Sequence, residues 1–173
     1  WAKFLLLKHI GAFLLVRCLF CGPIAFSQTR QIDSLKKALE YPNADKLSIL
    51  FELCARSPSM SQDTAFFYAR EAKQISRQNH AFEKEVTADF YIASCYGLKG
   101  RSDSSLILSN DAIKKLPDTD KFFPLYRDLM WNKIVSLTKL RKIKESINAC
   151  YTLLSMAEKK GDVQGQVIAY NCL

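Results

Sequence analysis

The side chains that most often carry out acid–base or metal chemistry are scarce in this chain. His9 and His80 are the only histidines among 173 residues. Glu83 and Glu85 are two residues apart, so on a helix they face different sides and form no acid–base pair by local geometry. No G-x-S-x-G, H-E-x-x-H or glycine-rich phosphate loop is present. We therefore expect no catalytic residue, no metal site and no cofactor, and this segment is predicted not to be an enzyme.

The cysteines show no ligand or redox spacing outside the N-terminal segment. Cys54, Cys95, Cys150 and Cys172 each fall among apolar residues of a helical pattern. Cys18 and Cys21 have C-x-x-C spacing but lie in a region with the character of a targeting sequence. The pattern favours buried thiols that act as small hydrophobic side chains.

Residues 1–27 differ in composition from the remainder of the chain. They contain Lys3 and Lys8 near the start, no acid, and an apolar run over residues 10–16. Small residues at Ala25 and Ser27 fit signal-peptidase cleavage before Gln28. The sequence predicts a secretory signal and a periplasmic or other extracytoplasmic location. An uncleaved N-terminal membrane anchor is the alternative, although no uninterrupted run of about 18 apolar residues exists to span a bilayer.

Charge gives little support for nucleic-acid binding. The formal net charge is +8, and residues 1–27 contribute three cations and no anion, so the rest carries +5. No cluster of lysines and arginines marks a binding stripe. We expect no nucleic-acid partner for this segment.

Hydrophobic periodicity of the helical kind runs through the chain after the signal. A short helix is predicted within residues 28–43, followed by helical hairpins at about 45–79, 82–117 and 124–160. Gly100 is predicted to adopt the left-handed turn conformation, and Ser59 and Ser102 are predicted to cap the helices that follow them. Residues 163–173 are predicted to be the first helix of a further, truncated repeat.

A weak internal repeat relates these hairpins. The small residues Ala65, Ser105 and Ser146 occupy equivalent places, 40 and 41 residues apart. Repeats of this length are typical of stacked helical hairpins that offer a binding surface. The predicted architecture is an all-α, right-handed solenoid of antiparallel helical hairpins over residues 44–173.

The second hairpin resembles the tetratricopeptide repeat. With Val86 as the first position of the motif, Ala93, Tyr96 and Gly100 fall on its small, aromatic and turn positions. The next small, small and proline positions hold Ser105, Ala112 and Pro117. Three residues depart from the pattern: Asp89 replaces a large apolar residue, Arg141 the turn glycine of the third hairpin, and Leu153 its last alanine.

The resemblance implies a peptide-binding surface on the first helix of each hairpin. It implies that ten residues line a concave groove: Thr87, Phe90, Ser94, Gly97 and Leu98 in the second hairpin, and Asp128, Trp131, Val135, Thr138 and Lys139 in the third. The alternative is that Phe90 and Trp131 are simply core residues, as large aromatic side chains at helical spacing usually are.

The spacing near forty residues, together with the signal, is similar to that of extracytoplasmic repeat arrays in signalling proteins of Bacteroidota. That likeness implies a protein or peptide ligand and a sensory or scaffolding role beside a histidine kinase or transcriptional regulator. It also implies membrane attachment through the N-terminus or a segment missing after residue 173. The alternative is a stand-alone adaptor for envelope protein assembly.

Overall fold

The computed structural model describes residues 30–173, and the predicted signal or anchor at 1–27 lies outside them. The described residues form eight α-helices and contain no strand, so the all-α prediction is confirmed. Helix α1 covers 30–38 and α2 covers Lys46–Ala55. The others are α3 (Gln62–Gln78), α4 (Phe82–Leu98), α5 (Ser102–Lys115), α6 (Phe123–Lys139), α7 (Ile143–Lys160) and α8 (Val163–Cys172). Within residues 30–173, no helix has the length and apolarity needed to cross a membrane.

The chain divides into two compact units inside α2, the first ending at Ile49 and the second being Leu50–Leu173. In the first unit, α1 buries Ile32 and leaves most of its other residues exposed. The start of α2 is capped by Asp45. Its carboxylate accepts hydrogen bonds from the Ser48 amide at 3.2 Å and from the Ser48 hydroxyl at 2.6 Å.

In the second unit the helices pack in chain order. Each of α3 to α7 contacts the helix that follows it, and α4 also contacts α6, as α6 contacts α8. Antiparallel helix pairs are what short connections produce. The unit is therefore built from local helix–helix contacts, with an additional contact between alternate helices.

Four of the tight turns in this unit share one geometry. His80, Gly100, Arg141 and Gly161 all have positive φ, between 52° and 77°. In each turn, the residue that follows the positive-φ residue donates its amide hydrogen to the carbonyl of the residue five positions before it, at 2.9 Å. This hydrogen bond ends the helix in a Schellman motif. The prediction for Gly100 is confirmed. Arg141 adopts the left-handed conformation in place of the glycine that the resemblance would supply. His80 is an exposed turn residue.

Small residues allow these helices to approach closely. Ala65, Ser105 and Ser146, the three residues of the predicted repeat, are all buried. Two buried serine hydroxyls are satisfied within their own helices: Ser76 donates to the Ala72 carbonyl at 2.7 Å, and Ser109 donates to that of Ser105 at 2.8 Å. The small side chains therefore bury backbone without leaving these hydroxyls unpaired.

Two predicted helix caps are wrong. Ser59 lies inside a 3₁₀ turn at Ser57–Ser59, and Ser61 instead accepts the capping hydrogen bond, from the Thr64 amide at 3.2 Å. Ser102 is the first residue of α5 and is buried, while Arg101 stands at the cap position without a side-chain capping bond. In each case the observed cap residue lies one or two positions away from the predicted serine.

Asp89 is a buried carboxylate held by two lysines. Its side chain is 3% exposed, and it pairs with Lys73 of α3 at 2.5 Å and with Lys115 of α5 at 2.7 Å. At this position the tetratricopeptide pattern has a large apolar residue. Asp89 instead places a network of ion pairs where three successive helices, α3, α4 and α5, meet. Such a group is tolerated in the interior only because cations compensate its charge.

The four cysteines of the described chain are free thiols. Cys54, Cys95 and Cys150 are buried, and Cys172 is half-buried against the core cluster that contains Cys150. Burial raises the pKa of the Cys54 thiol to about 12 and that of Cys150 to about 11. Thiols with such pKa values are protonated near neutral pH, as expected of packing residues rather than nucleophiles.

Candidate functional site

A groove lies between α4 and α6, with a volume of about 370 Å³. We call it the α4–α6 groove and define it by its lining residues. Helix α4 contributes Phe90, Tyr91, Ser94, Gly97 and Leu98; α5 contributes Ser105; α6 contributes Trp131, Asn132, Val135, Ser136 and Lys139; and the end of α2 with the turn after it contributes Cys54, Ala55, Ser57 and Pro58.

The lining side chains of α4 and α6 follow helical spacing. Phe90, Ser94 and Leu98 recur every four residues on α4, and Trp131, Val135 and Lys139 do so on α6, so each set forms one stripe along its helix. Because α4 and α6 are in contact, the two stripes meet along one groove. Seven of the ten residues implied by the resemblance, Gly97 included, come together here.

Three of the ten residues lie elsewhere. The Thr87 hydroxyl donates to the Glu83 carbonyl one turn earlier, at 2.9 Å. The Thr138 hydroxyl donates to the Ile134 carbonyl at 3.0 Å and is within hydrogen-bond distance of Ser146 on α7. Thr87 and Thr138 therefore bond within the fold and do not line the groove.

Asp128, the third of these, is bound to a neighbouring arginine. Its carboxylate accepts a hydrogen bond from Arg127 Nε at 3.0 Å, and Arg127 Nη1 also reaches Asp162 at 3.2 Å. Burial raises the pKa of the Asp128 carboxyl, and the nearby Arg127 guanidinium opposes that shift. The arrangement joins α6 to the start of α8 and presents no carboxylate to the groove.

Large apolar side chains on the rim of the groove are accessible. Trp131 is 40% exposed and Leu98 is 53% exposed. The interpretation of Trp131 as a buried core residue is therefore wrong, whereas Phe90 is half-buried and packs against the main core cluster. An exposed tryptophan beside a recess is the kind of residue that anchors a bound partner.

Asn132 and Ser94 connect the two helices in the groove. Asn132 Nδ2 donates to the Phe90 carbonyl at 3.2 Å and to Ser94 Oγ at 2.9 Å. Ser94 Oγ in turn donates to the Phe90 carbonyl at 2.9 Å. The polar groups here are thus already paired, and they fix the separation of α4 and α6. The sequence pattern pointed to neither Asn132 nor Tyr91, and the signal that was available for Asn132 is a polar residue directly after the apolar residues Leu129–Trp131.

The electrostatics of the groove are simple. Lys139 is the only charged residue among the lining side chains. Its Nζ donates to the Gly97 carbonyl at 3.1 Å, near the C-terminal end of α4, where a cation is favourable. A ligand would therefore meet an apolar surface with one positive charge at its end and no acid.

A larger groove of about 970 Å³ lies along α3, over Ile92 and Tyr96 of α4 and Leu108 of α5. Five charged residues line this α3 groove: Asp63, Arg70, Glu71, Lys73 and Arg77. Three of them are already paired, Lys73 with Asp89, Arg77 with Glu85, and Asp63 with Lys99. A charged ligand would compete with those pairs, and an apolar one would bury them, so the α4–α6 groove is the better candidate despite its smaller volume.

We looked within residues 30–173 for clusters of side chains that could bind a metal ion or activate a nucleophile. No group of three or more His, Cys, Asp or Glu side chains there is arranged to hold a metal ion. The two close hydroxyl pairs across helices, Ser136 with Ser105 and Thr138 with Ser146, have no histidine beside them, since the one histidine of this part of the chain is at the α3–α4 turn. What the described geometry offers is an apolar recess between paired helices.

Comparison with known proteins gives no assignment. No family model, no curated protein and no solved structure matches this chain.

Proposed function

We propose that the second unit is an array of tetratricopeptide-like hairpins that binds a peptide or a protein segment in the α4–α6 groove. The observation that carries this proposal is that seven of the residues implied by the resemblance line one accessible apolar recess. They lie on two helices that begin 41 residues apart, at Phe82 and Phe123. The polar side chains of the groove, Ser94, Asn132 and Lys139, already bond to other groups of the protein, so what they leave for a ligand is mainly the apolar surface between them.

Three features support the solenoid arrangement on which this proposal rests. Helices pack in chain order, alternate helices α4, α6 and α8 are in contact, and four turns repeat one geometry. In a right-handed solenoid of hairpins, the first helices of successive hairpins line one side. Under this proposal α4, α6 and α8 are those first helices.

The chemistry of the groove indicates what kind of segment it takes. Apolar walls at Trp131, Phe90 and Leu98 suit a large aliphatic or aromatic side chain. Because no acid lines the groove and Lys139 stands at one end, a neutral or acidic segment is accepted more readily than a basic one.

Trp131→Ala tests this proposal. Peptides selected from a random-sequence display library against the whole chain are titrated into the wild type and the variant by calorimetry. We expect the variant to bind about 30-fold more weakly, corresponding to about 2 kcal/mol for a buried anchor. The matched control is Tyr151→Ala on α7, which removes an aromatic ring that is 58% exposed and lies outside the groove.

Equal affinities for wild type and Trp131→Ala, or an equal loss in Tyr151→Ala, would reject the groove as the site. Leu98→Ala provides a second variant on the opposite wall, and the thermal midpoint of each variant shows whether it remains folded.

A sensory role predicts that saturation with peptide changes the radius of gyration measured by X-ray scattering, because the array would change curvature. The alternative, an adaptor for envelope assembly, predicts no such change.

A further inference from the structure

Helices α7 and α8 are joined by the short turn at Gly161 and contact each other. A connection this short makes the two helices antiparallel. A Cβ on Gly165 of α8 would lie 2.9 Å from the Cβ of Ala157 on α7, closer than two side chains can approach. The missing side chain at Gly165 therefore lets the helices come together, and Gly165 and Ala157 are direct neighbours across the hairpin.

The same alignment, followed for two helical turns, brings two cysteines together. Cys172 lies seven residues after Gly165 on α8, and Cys150 lies seven residues before Ala157 on α7. Seven residues make about two turns of an α-helix, so each cysteine lies on the same face as the small residue from which it is counted. Because the helices run in opposite directions, Cys172 faces Cys150.

The contact between the two thiols agrees with this alignment. The Cys150 thiol donates a hydrogen bond to the Cys172 sulfur. Cys150 is 0% exposed, whereas Cys172 is half-buried against the core cluster that contains Cys150. A disulfide requires the two sulfurs to close from hydrogen-bond distance to about 2.05 Å. One thiol of the pair is therefore open to a reagent in solution, and the other lies directly beside it.

The other two cysteines of residues 30–173 are arranged differently. Cys54 lies near the end of α2 and Cys95 in α4, and both are 1% exposed. Within the described chain no hydrogen bond joins these two thiols. Burial closes both of them to a reagent in solution, so they provide a control within the same molecule.

We propose that Cys150 and Cys172 are a modification site, at which oxidation forms a disulfide that joins α7 to α8. The oxidant is another disulfide, either of a small thiol or of a thiol–disulfide oxidoreductase. Oxidants of this class belong to extracytoplasmic compartments, the location that the sequence predicts. The bond would lie on the inner face of α8, which α7 already covers.

Two exchange steps balance the reaction. The Cys172 thiolate attacks one sulfur of the oxidant, whose S–S bond breaks, and the first thiol leaves with the electron pair. Cys150 then loses its proton to solvent and attacks the Cys172 sulfur of the mixed disulfide, and the second thiol leaves. The two cysteines are oxidised by two electrons in total, and the oxidant is reduced to two thiols that take up the two protons.

Proximity, and not acidity, selects this pair. Burial raises the pKa of the Cys150 thiol to about 11, and burial also raises the pKa of Cys172, although the hydrogen bond from Cys150 opposes that second shift. Because only a thiolate attacks a disulfide, exchange with a small oxidant is slow near neutral pH. The closing step is intramolecular, which favours the internal disulfide over the mixed one.

Peptide mapping of the whole chain tests the proposal. The reduced protein is incubated overnight with oxidised glutathione at mildly alkaline pH, alkylated in denaturant, digested with trypsin and analysed by mass spectrometry. The four cysteines fall in separate tryptic peptides, 47–56, 85–99, 145–159 and 161–173. We expect 145–159 to be linked to 161–173 in most molecules, and 47–56 and 85–99 to be alkylated.

Three results would overturn the proposal. The first is that peptides 145–159 and 161–173 stay alkylated, and the second is that glutathione accumulates on Cys172 without a link to Cys150. The third is that Cys54 and Cys95 become linked as fast as the proposed pair, which would show that folding does not choose the partners.

Variants separate the two steps. Cys150→Ser should retain glutathione on Cys172, because the thiol of the closing step is gone, whereas the control Cys54→Ser should form the link as the wild type does. The oxidised wild type is expected to melt about 5 °C above the reduced protein, since the disulfide restricts the unfolded chain. An equal shift in Cys150→Ser treated in the same way would contradict that cause.

Discussion

Replacing Gly165 by alanine is expected to destabilise the fold by about 2 kcal/mol. A Cβ at this buried position would lie 2.7 Å from Asp162 Oδ2 and 2.9 Å from the Ala157 Cβ. The Gly165 amide donates to that same Asp162 oxygen at 2.9 Å, so relief of the clash disturbs the cap of α8. Overpacking costs about 1–3 kcal/mol and loss of the cap about 1, against a gain in helix propensity of about 1. Urea unfolding of the whole chain measures the difference.

Gly97→Ala is the matched control, because it makes the same change in another helix. A Cβ on Gly97 would lie 3.4 Å from Ser105 Oγ, which is ordinary contact. We expect this variant to be unchanged or more stable by up to about 1 kcal/mol, since alanine restricts the unfolded chain. Equal destabilisation by both substitutions would show that close approach at the start of α8 is not the cause.

Asp89→Asn is expected to destabilise the second unit by about 2 kcal/mol. The substitution keeps the shape of the side chain but removes the charge that Lys73 and Lys115 share. Removing one partner of a buried ion pair costs about 3–5 kcal/mol when the remaining charge stays buried. The two lysine side chains are 21% and 39% exposed, so they can regain part of their hydration, and the expected cost is smaller.

The control for Asp89→Asn is Asp111→Asn, which removes an exposed ion pair with Lys114 at 3.8 Å. Such pairs contribute about 0–1 kcal/mol, so little change is expected. Asp89→Leu should cost at least as much as Asp89→Asn, because leucine offers Lys73 and Lys115 no oxygen acceptor. A change below about 0.5 kcal/mol in Asp89→Asn would contradict the structural role given to this network.

The helices themselves could be predicted from local patterns. Helical periodicity together with Gly100, Pro117 and Gly161 places the ends of α4 to α8 within two residues of those observed. Such signals act over one or two turns of chain, so they are visible in the sequence. The left-handed conformations of His80 and Arg141 were not predictable in this way, because neither residue type favours positive φ as glycine does.

The contacts between helices could be predicted only in part. The face of α4 that carries Phe90, Ser94 and Leu98 follows from helix geometry and from the resemblance to a repeat. That Asn132 would bond to Ser94 across 38 residues does not follow, nor that Lys73 and Lys115 would converge on Asp89. Those contacts depend on the relative rotation of neighbouring helices, which tertiary packing sets. The role of the groove in binding remains a prediction.

Hydrogen–deuterium exchange of the whole chain, with and without a saturating selected peptide, tests the central claim most directly. The proposed function predicts that protection gained on binding is concentrated in α4 and α6, around Phe90–Leu98 and Trp131–Lys139. Protection confined to α3 and α5, along the larger groove, would contradict it and move the binding surface to the other side of α4.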